Sequence, residues 1–175
     1  GARTALASLG DAGLDGLPPI IDASELLALK FTLPQELVFG LLHQGSKMVL
    51  GGGSKTFKTW TLLDLAVSVA SGEPWLSFKT SKGRVLFLNF EIQDGFFRQR
   101  MEAVARAKLI TLAPGQIDVW NLRGHCASYD VVLPRISERV KNSGYSLIVL
   151  DPIYKLYGQT DENSAGEVAR LLNAI

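Results

Sequence analysis

Two short stretches constrain the fold more than anything else in this sequence. Arg84–Phe90 (RVLFLNF) and Ser146–Leu150 (SLIVL) are apolar without polar alternation, and an acid follows each of them directly, Glu91 and Asp151. Continuous apolar runs of this length read as strands buried on both faces, which happens when helices cover a parallel sheet. Helical patterns lie between and around them. Phe97, Met101, Val104 and Ala105 recur at helical spacing, with Arg98–Glu102 and Glu102–Arg106 as i,i+4 ion pairs on the outer side. Asp130–Lys141 reads as a further helix in which Pro134 is tolerable only near the start. Ile117–Leu122 is a weaker strand candidate. Strand and helix in alternation give an α/β class, a parallel sheet flanked by helices.

Upstream, Lys47–Gly51 (KMVLG) reads as a short apolar strand running into glycines, and Lys58–Ala70 as a helix stopped by Gly72. The helix keeps its polar positions Thr61, Asp64 and Ser68 on one narrow stripe, so most of its girth should be covered. Residues 1–20 read as a flexible tail with at most a short helix, and residues 21–175 as the folded core. At its start, Asp22-Ala-Ser24-Glu25 caps a short helix that ends before Pro34. Near the other end, Ser164–Glu167 is a capping-box pattern ahead of the apolar stripe Val168, Leu171, Leu172 and Ile175.

Between the first strand and its helix stands Gly52-Gly53-Ser54-Lys55-Thr56-Phe57-Lys58-Thr59. A Gly-rich loop between a strand and a helix N-terminus is the setting of a phosphate-binding loop, a Walker A. Its backbone N–H groups can point at phosphate oxygens, and the helix dipole favours an anion there. Lys58 stands where a lysine reaches the β- and γ-phosphates, and Thr59 where a hydroxyl ligates Mg²⁺. One position departs from the pattern, because Phe57 replaces the second glycine. If that position needs a left-handed backbone, Phe57 costs stability or deforms the loop; if it needs ordinary φ and ψ, the ring can point away from the phosphates.

The two strand-end acids complete the chemistry. A carboxylate at the carboxyl end of a parallel strand lies where α/β sheets bind ligands. Asp151 is the candidate Walker B acid, holding Mg²⁺ or one of its waters, though Asp151-Pro152 also suits a chain turn. Glu91 is the candidate for polarising a water against the γ-phosphate. Lys55, Arg98, Arg100 and Lys155 could contact phosphates or simply be surface charges.

In combination these stretches resemble the RecA-superfamily ATPases grouped as AAA-domain, RepA-like proteins, close to the hexameric plasmid replicative helicases. The residues that carry the resemblance are Gly52–Gly72, Val85–Arg100 and Leu147–Leu172, within a region covering most of Phe31–Ile175. An aromatic in place of the loop glycine is frequent in that group, as at Phe57 here. The resemblance implies a RecA-like core that binds ATP with Mg²⁺ and hydrolyses it. It implies nucleotide-binding roles for Gly52, Gly53, Ser54, Lys55, Thr56, Phe57, Lys58, Thr59, Trp60 and Arg100, metal ligation by Thr59 and Asp151, and catalysis by Glu91 and Lys58. Asp161-Glu162-Asn163 matches a recurring acidic segment. Such cores continue with further strands, one of which inserts beside the loop strand, so the sequence is expected to stop short of a complete core. A homo-oligomer, ring or filament, is the expected working state, with DNA as a partner by analogy only.

Other classes find less support. A single cysteine, Cys126, excludes an internal disulfide and fits a reducing, cytoplasmic setting. His43 and His125 are far apart and suggest no metal site. No apolar run is long enough to span a bilayer, and the first residues do not form a signal peptide. A net charge of +1 neither argues for nor against nucleic acid. A nucleotide-binding module without hydrolysis remains the alternative, and Phe57 is the residue that favours it.

Overall fold

The computed structural model describes residues 19–125 and 129–156. The chain divides into two compact units, Gly1–Gln35 and Glu36–Ile175. In the first, helix α1 (Ala23–Ala28) starts as expected, with the Asp22 carboxylate accepting from the Ser24 N–H at 2.8 Å. None of the α1 residues is buried. The expected tail before residue 19, Cys126, the acidic segment at Asp161 and the helix after Ser164 lie outside the described residues.

The second unit holds the sheet. Its parallel strands are β3 (Arg84–Asn89), β4 (Ile117–Asn121) and β5 (Tyr145–Asp151), in the order β4-β3-β5. A short antiparallel hairpin, β1 (Glu36–Val38) and β2 (Leu42–His43), precedes them. Helix α2 (Lys58–Ser71) leads into β3, α3 (Asp94–Ala107) joins β3 to β4, and α4 (Tyr129–Val140) joins β4 to β5. The first crossover steps to one side of β3 and the second to the other. Crossovers of one hand therefore place α3 and α4 on opposite faces.

The packing agrees. Val85 and Phe87 of β3 join Phe97 and Val104 of α3 and the buried side of α2, with the Phe87 and Phe97 rings edge to face at 5.1 Å. Leu86 and Leu88, pointing the other way, pack with Val132 and Ile136 of α4. Both faces of β3 are thus covered, as its unbroken apolar run requires, and Leu63 and Leu65–Ala70 of α2 are buried, Ser68 of the polar stripe among them with its hydroxyl donating to the Pro74 carbonyl at 3.1 Å. Gly72 ends α2 in the left-handed conformation, its N–H reaching the Ser68 carbonyl at 2.7 Å.

Several expectations need correction. Lys47–Gly51 forms no strand ladder, and Met48, Val49 and Leu50 are partly exposed. A strand needs a neighbour to take its backbone groups, and here a cleft of about 470 Å³ lies against both this segment and β5. For the same reason β5 is not buried on both faces. It is the edge of the three-stranded sheet, and Ser146 and Ile148 face outward. Pro134 sits in the second turn of α4 rather than at its start. On α3 the Arg98–Glu102 pair forms at 2.8 Å, whereas Glu102–Arg106 is not among the ion pairs of the described residues.

At the amino-terminal edge of the sheet one cluster ties the three strands together. Arg84 of β3 donates to Asp118 of β4 at 2.6 Å, and the Tyr145 hydroxyl of β5 donates to the same carboxylate oxygen at 2.6 Å. The tyrosine hydrogen bond and Arg84 hold the Asp118 carboxyl below its usual range despite partial burial. The opposite edge is left for chemistry.

Candidate functional site

The carboxyl-terminal edge of the sheet carries a row of polar residues. Register places Asn89 of β3 beside Asn121 of β4 on one side and Asp151 of β5 on the other. β3 is also where the strand order turns back, and α/β sheets bind ligands at such a point. Asn89 is buried and fully used. Its amide nitrogen donates to Asn121 Oδ1 at 2.9 Å and to the Ile92 carbonyl at 2.6 Å. Its Oδ1 accepts from the N–H groups of Ile92 at 2.9 Å and Glu91 at 3.3 Å. The chain leaving β3 is thereby folded back on the strand end, and Glu91 is fixed by its backbone at the rim.

Asp151 closes β5 and is buried, a rare state for a carboxylate unless it serves a partner. Burial pushes its carboxyl above the usual carboxylate range. A hydrogen bond from Thr59 and the charges of Lys58 and Arg100 pull it back, while Glu91 adds to the rise. These influences define the site: Thr59 and Lys58 from the start of α2, Glu91 from the end of β3, Arg100 from α3 and Asp151 itself converge. All were singled out in the sequence, from stretches separated by dozens of residues.

Helix α2 begins without a side-chain cap, so the free N–H groups of its first turn face the loop. The loop is wound around its own lysine. Lys58 Nζ donates to the carbonyls of Gly52 at 2.8 Å and Gly53 at 2.6 Å, and Thr56 Oγ1 also donates to Gly53 at 2.8 Å. A Cβ added at Gly52 would stand 2.9 Å from Thr56 Oγ1. A side chain there would have to displace that hydroxyl, so the loop is close-packed at Gly52.

Phe57 resolves the question left by the sequence. It is left-handed, φ 61° and ψ 20°, and its ring is 73% exposed. The position does need the conformation that glycine adopts freely, and the ring turns to solvent. Lys55, at φ 60°, is a second left-handed residue in the same loop. Trp60 lies against the core, with the Arg100 guanidinium 5.5 Å from its ring centre. Arg98 is occupied by Glu102, and Lys155 lies 5.2 Å over the ring of Tyr154. Ser54 and Lys55 are exposed on the loop.

Two site residues escaped the sequence reading. Asn89 left one signal, a lone amide closing an otherwise apolar strand. Tyr154 left none. It sits in the 3-10 turn Ile153–Leu156 that follows Asp151, and its hydroxyl donates to Glu91 Oε2 at 3.0 Å. Among the described residues no helix is long and apolar enough to cross a membrane, and no cluster of His, Cys, Asp and Glu is arranged to hold a metal by itself. A Mg²⁺ ion here would instead rest on Thr59, Asp151 and the oxygens of a bound phosphate chain.

No curated protein matches this sequence. A family model does: residues 17–175 match the AAA domain. The chain therefore belongs to the AAA-domain family, a nucleotide-binding family.

Proposed function

We propose that this AAA-domain chain binds MgATP at the loop 52–59 and transfers its γ-phosphoryl group to water. The observation that carries the reading is the convergence on Asp151: a buried carboxylate with Thr59, Lys58, Glu91 and Arg100 around it. The phosphate chain would lie against the uncapped N-terminus of α2, where backbone N–H groups and the helix dipole favour an anion. Lys58 would exchange its two loop carbonyls for phosphate oxygens. Thr59 and Asp151 would hold Mg²⁺, which neutralises charge shared by the β- and γ-phosphates. Glu91 would accept hydrogen bonds from the attacking water. Arg100, from the facing helix, would stabilise charge on the phosphates.

The finer reading is a RecA-type motor of the RepA-like helicase kind, working as a homo-oligomer in the cytoplasm and acting on DNA. Its support is the resemblance carried by Gly52–Gly72, Val85–Arg100 and Leu147–Leu172. A second reading, a nucleotide-binding module with little turnover, is favoured by Phe57, whose left-handed backbone strains the loop. The deciding experiment measures MgATP hydrolysis with and without single-stranded DNA, beside Lys58→Ala. Turnover stimulated by DNA and lost in Lys58→Ala supports the motor. Turnover indifferent to DNA leaves an ATPase with another partner. Tight nucleotide binding without turnover transfers the case to the module.

A further inference from the structure

We infer that Tyr154 is a positioning residue for Glu91: its hydroxyl clamps one carboxylate oxygen so that the other faces the attacking water. The inference rests on the hydrolytic reading above. Glu91 is exposed, and a glutamate side chain has three rotatable bonds, so a free carboxylate at the rim would sample many directions. Its backbone is already held by Asn89 Oδ1. That bond fixes where the side chain starts, not where it ends. The second grip comes from the turn after β5, as the Tyr154 hydroxyl donates to Glu91 Oε2 at 3.0 Å.

The donor suits the task. A tyrosine has only two side-chain torsions, so little entropy is lost in holding its ring. The residue sits in a turn closed by the Lys155 N–H to the Pro152 carbonyl at 3.4 Å, with the Lys155 ammonium 5.2 Å over its partly exposed ring. A single donor on Oε2 leaves the lone pairs of Oε1 for a water proton. The clamp also links two functions of one strand end. Asp151 and Tyr154 stand three residues apart on β5 and the turn after it, so the backbone that places the metal-binding acid also aims the base.

The test compares wild type, Tyr154→Phe, Glu91→Gln and the double variant, measuring kcat and KM for MgATP and the affinities for MgADP and for MgADP with aluminium fluoride. The phenylalanine variant keeps the ring and loses one oxygen. The expected result for Tyr154→Phe is a kcat lower by about tenfold, the scale of a loosened catalytic geometry. KM, MgADP affinity and melting temperature stay unchanged, and affinity for the aluminium fluoride complex, which mimics the transition state, weakens. Added to Glu91→Gln, the same change has no further effect, because there is no base left to aim. Wild-type kcat in Tyr154→Phe beside a loss in Glu91→Gln overturns the clamp and leaves the hydrolytic reading intact. An undiminished Tyr154→Phe loss in the Glu91→Gln background also overturns it, since the hydroxyl then acts elsewhere. Full turnover in Glu91→Gln, or none in wild type, removes the hydrolytic role of Glu91 and the clamp with it.

Discussion

A phenylalanine in the left-handed region is costly because its Cβ crowds the following carbonyl, by about 1–2 kcal/mol. Phe57 accepts that cost at the capping position just before α2 while its ring stays 73% exposed. Phe57→Gly should therefore raise stability by about 1 kcal/mol, a melting shift of roughly 2–4 °C for a chain of this size. Thermal melts of the two proteins check it, and an unchanged or lower midpoint would show that the ring has a partner in solution. Asp151 makes the opposite exchange of stability for chemistry. Its folded-state carboxyl lies above the ordinary value of 3.8, chiefly through burial. The fold therefore holds that proton more tightly than the unfolded chain does. Stability from this group is full below the unfolded value and is lost as pH rises through the folded one. Asp151→Asn should then melt higher than wild type at neutral pH in the absence of nucleotide. The gap should close as the solution is acidified below 3.8, where both side chains are neutral. The same variant should lose the extra stability that MgATP confers on wild type. A lower neutral-pH midpoint for the variant would contradict the assignment.

At the scale of elements, the site is made by strand ends and one helix start, and Asn89 is the joint. It bonds β3 to β4 through Asn121 and folds the chain so that Glu91 meets the rim. Asn89→Ala removes a buried side chain together with its hydrogen bonds to Glu91, Ile92 and Asn121, a loss of about 1–3 kcal/mol. Denaturant unfolding should show that loss, and kcat should fall by more than KM changes because the turn carrying Glu91 loosens. Equal kcat in a destabilised variant would make Asn89 purely structural. These elements were legible in the sequence to different degrees. The apolar run of Arg84–Phe90 determines a covered central strand because both its faces must leave water. Ser146–Leu150 has the same composition but half its exposure is decided by what stands beside β5, which no local pattern encodes. Lys47–Gly51 fails as a strand for the same reason: pairing is a property of two segments, not of one. The placement of Glu91 and Asp151 was readable because each follows directly on an apolar run, which puts it at the carboxyl end of a strand. Tyr154 was not, since its contact with Glu91 comes from the turn after Asp151, which no local pattern announces.

At the scale of the whole molecule, two independent observations meet. The match of residues 17–175 to the AAA domain places the chain in a nucleotide-binding family. Around the buried Asp151 stand Thr59, Lys58, Glu91 and Arg100, the groups to which the proposed hydrolysis gives its roles. The most direct test is turnover and binding measured together in one variant. Glu91→Gln keeps the size and hydrogen bonding of the side chain but removes the carboxylate. The account predicts MgATP affinity close to wild type and hydrolysis reduced by at least about a hundredfold, within the range contributed by general base catalysis. Hydrolysis at the wild-type rate in Glu91→Gln would contradict it.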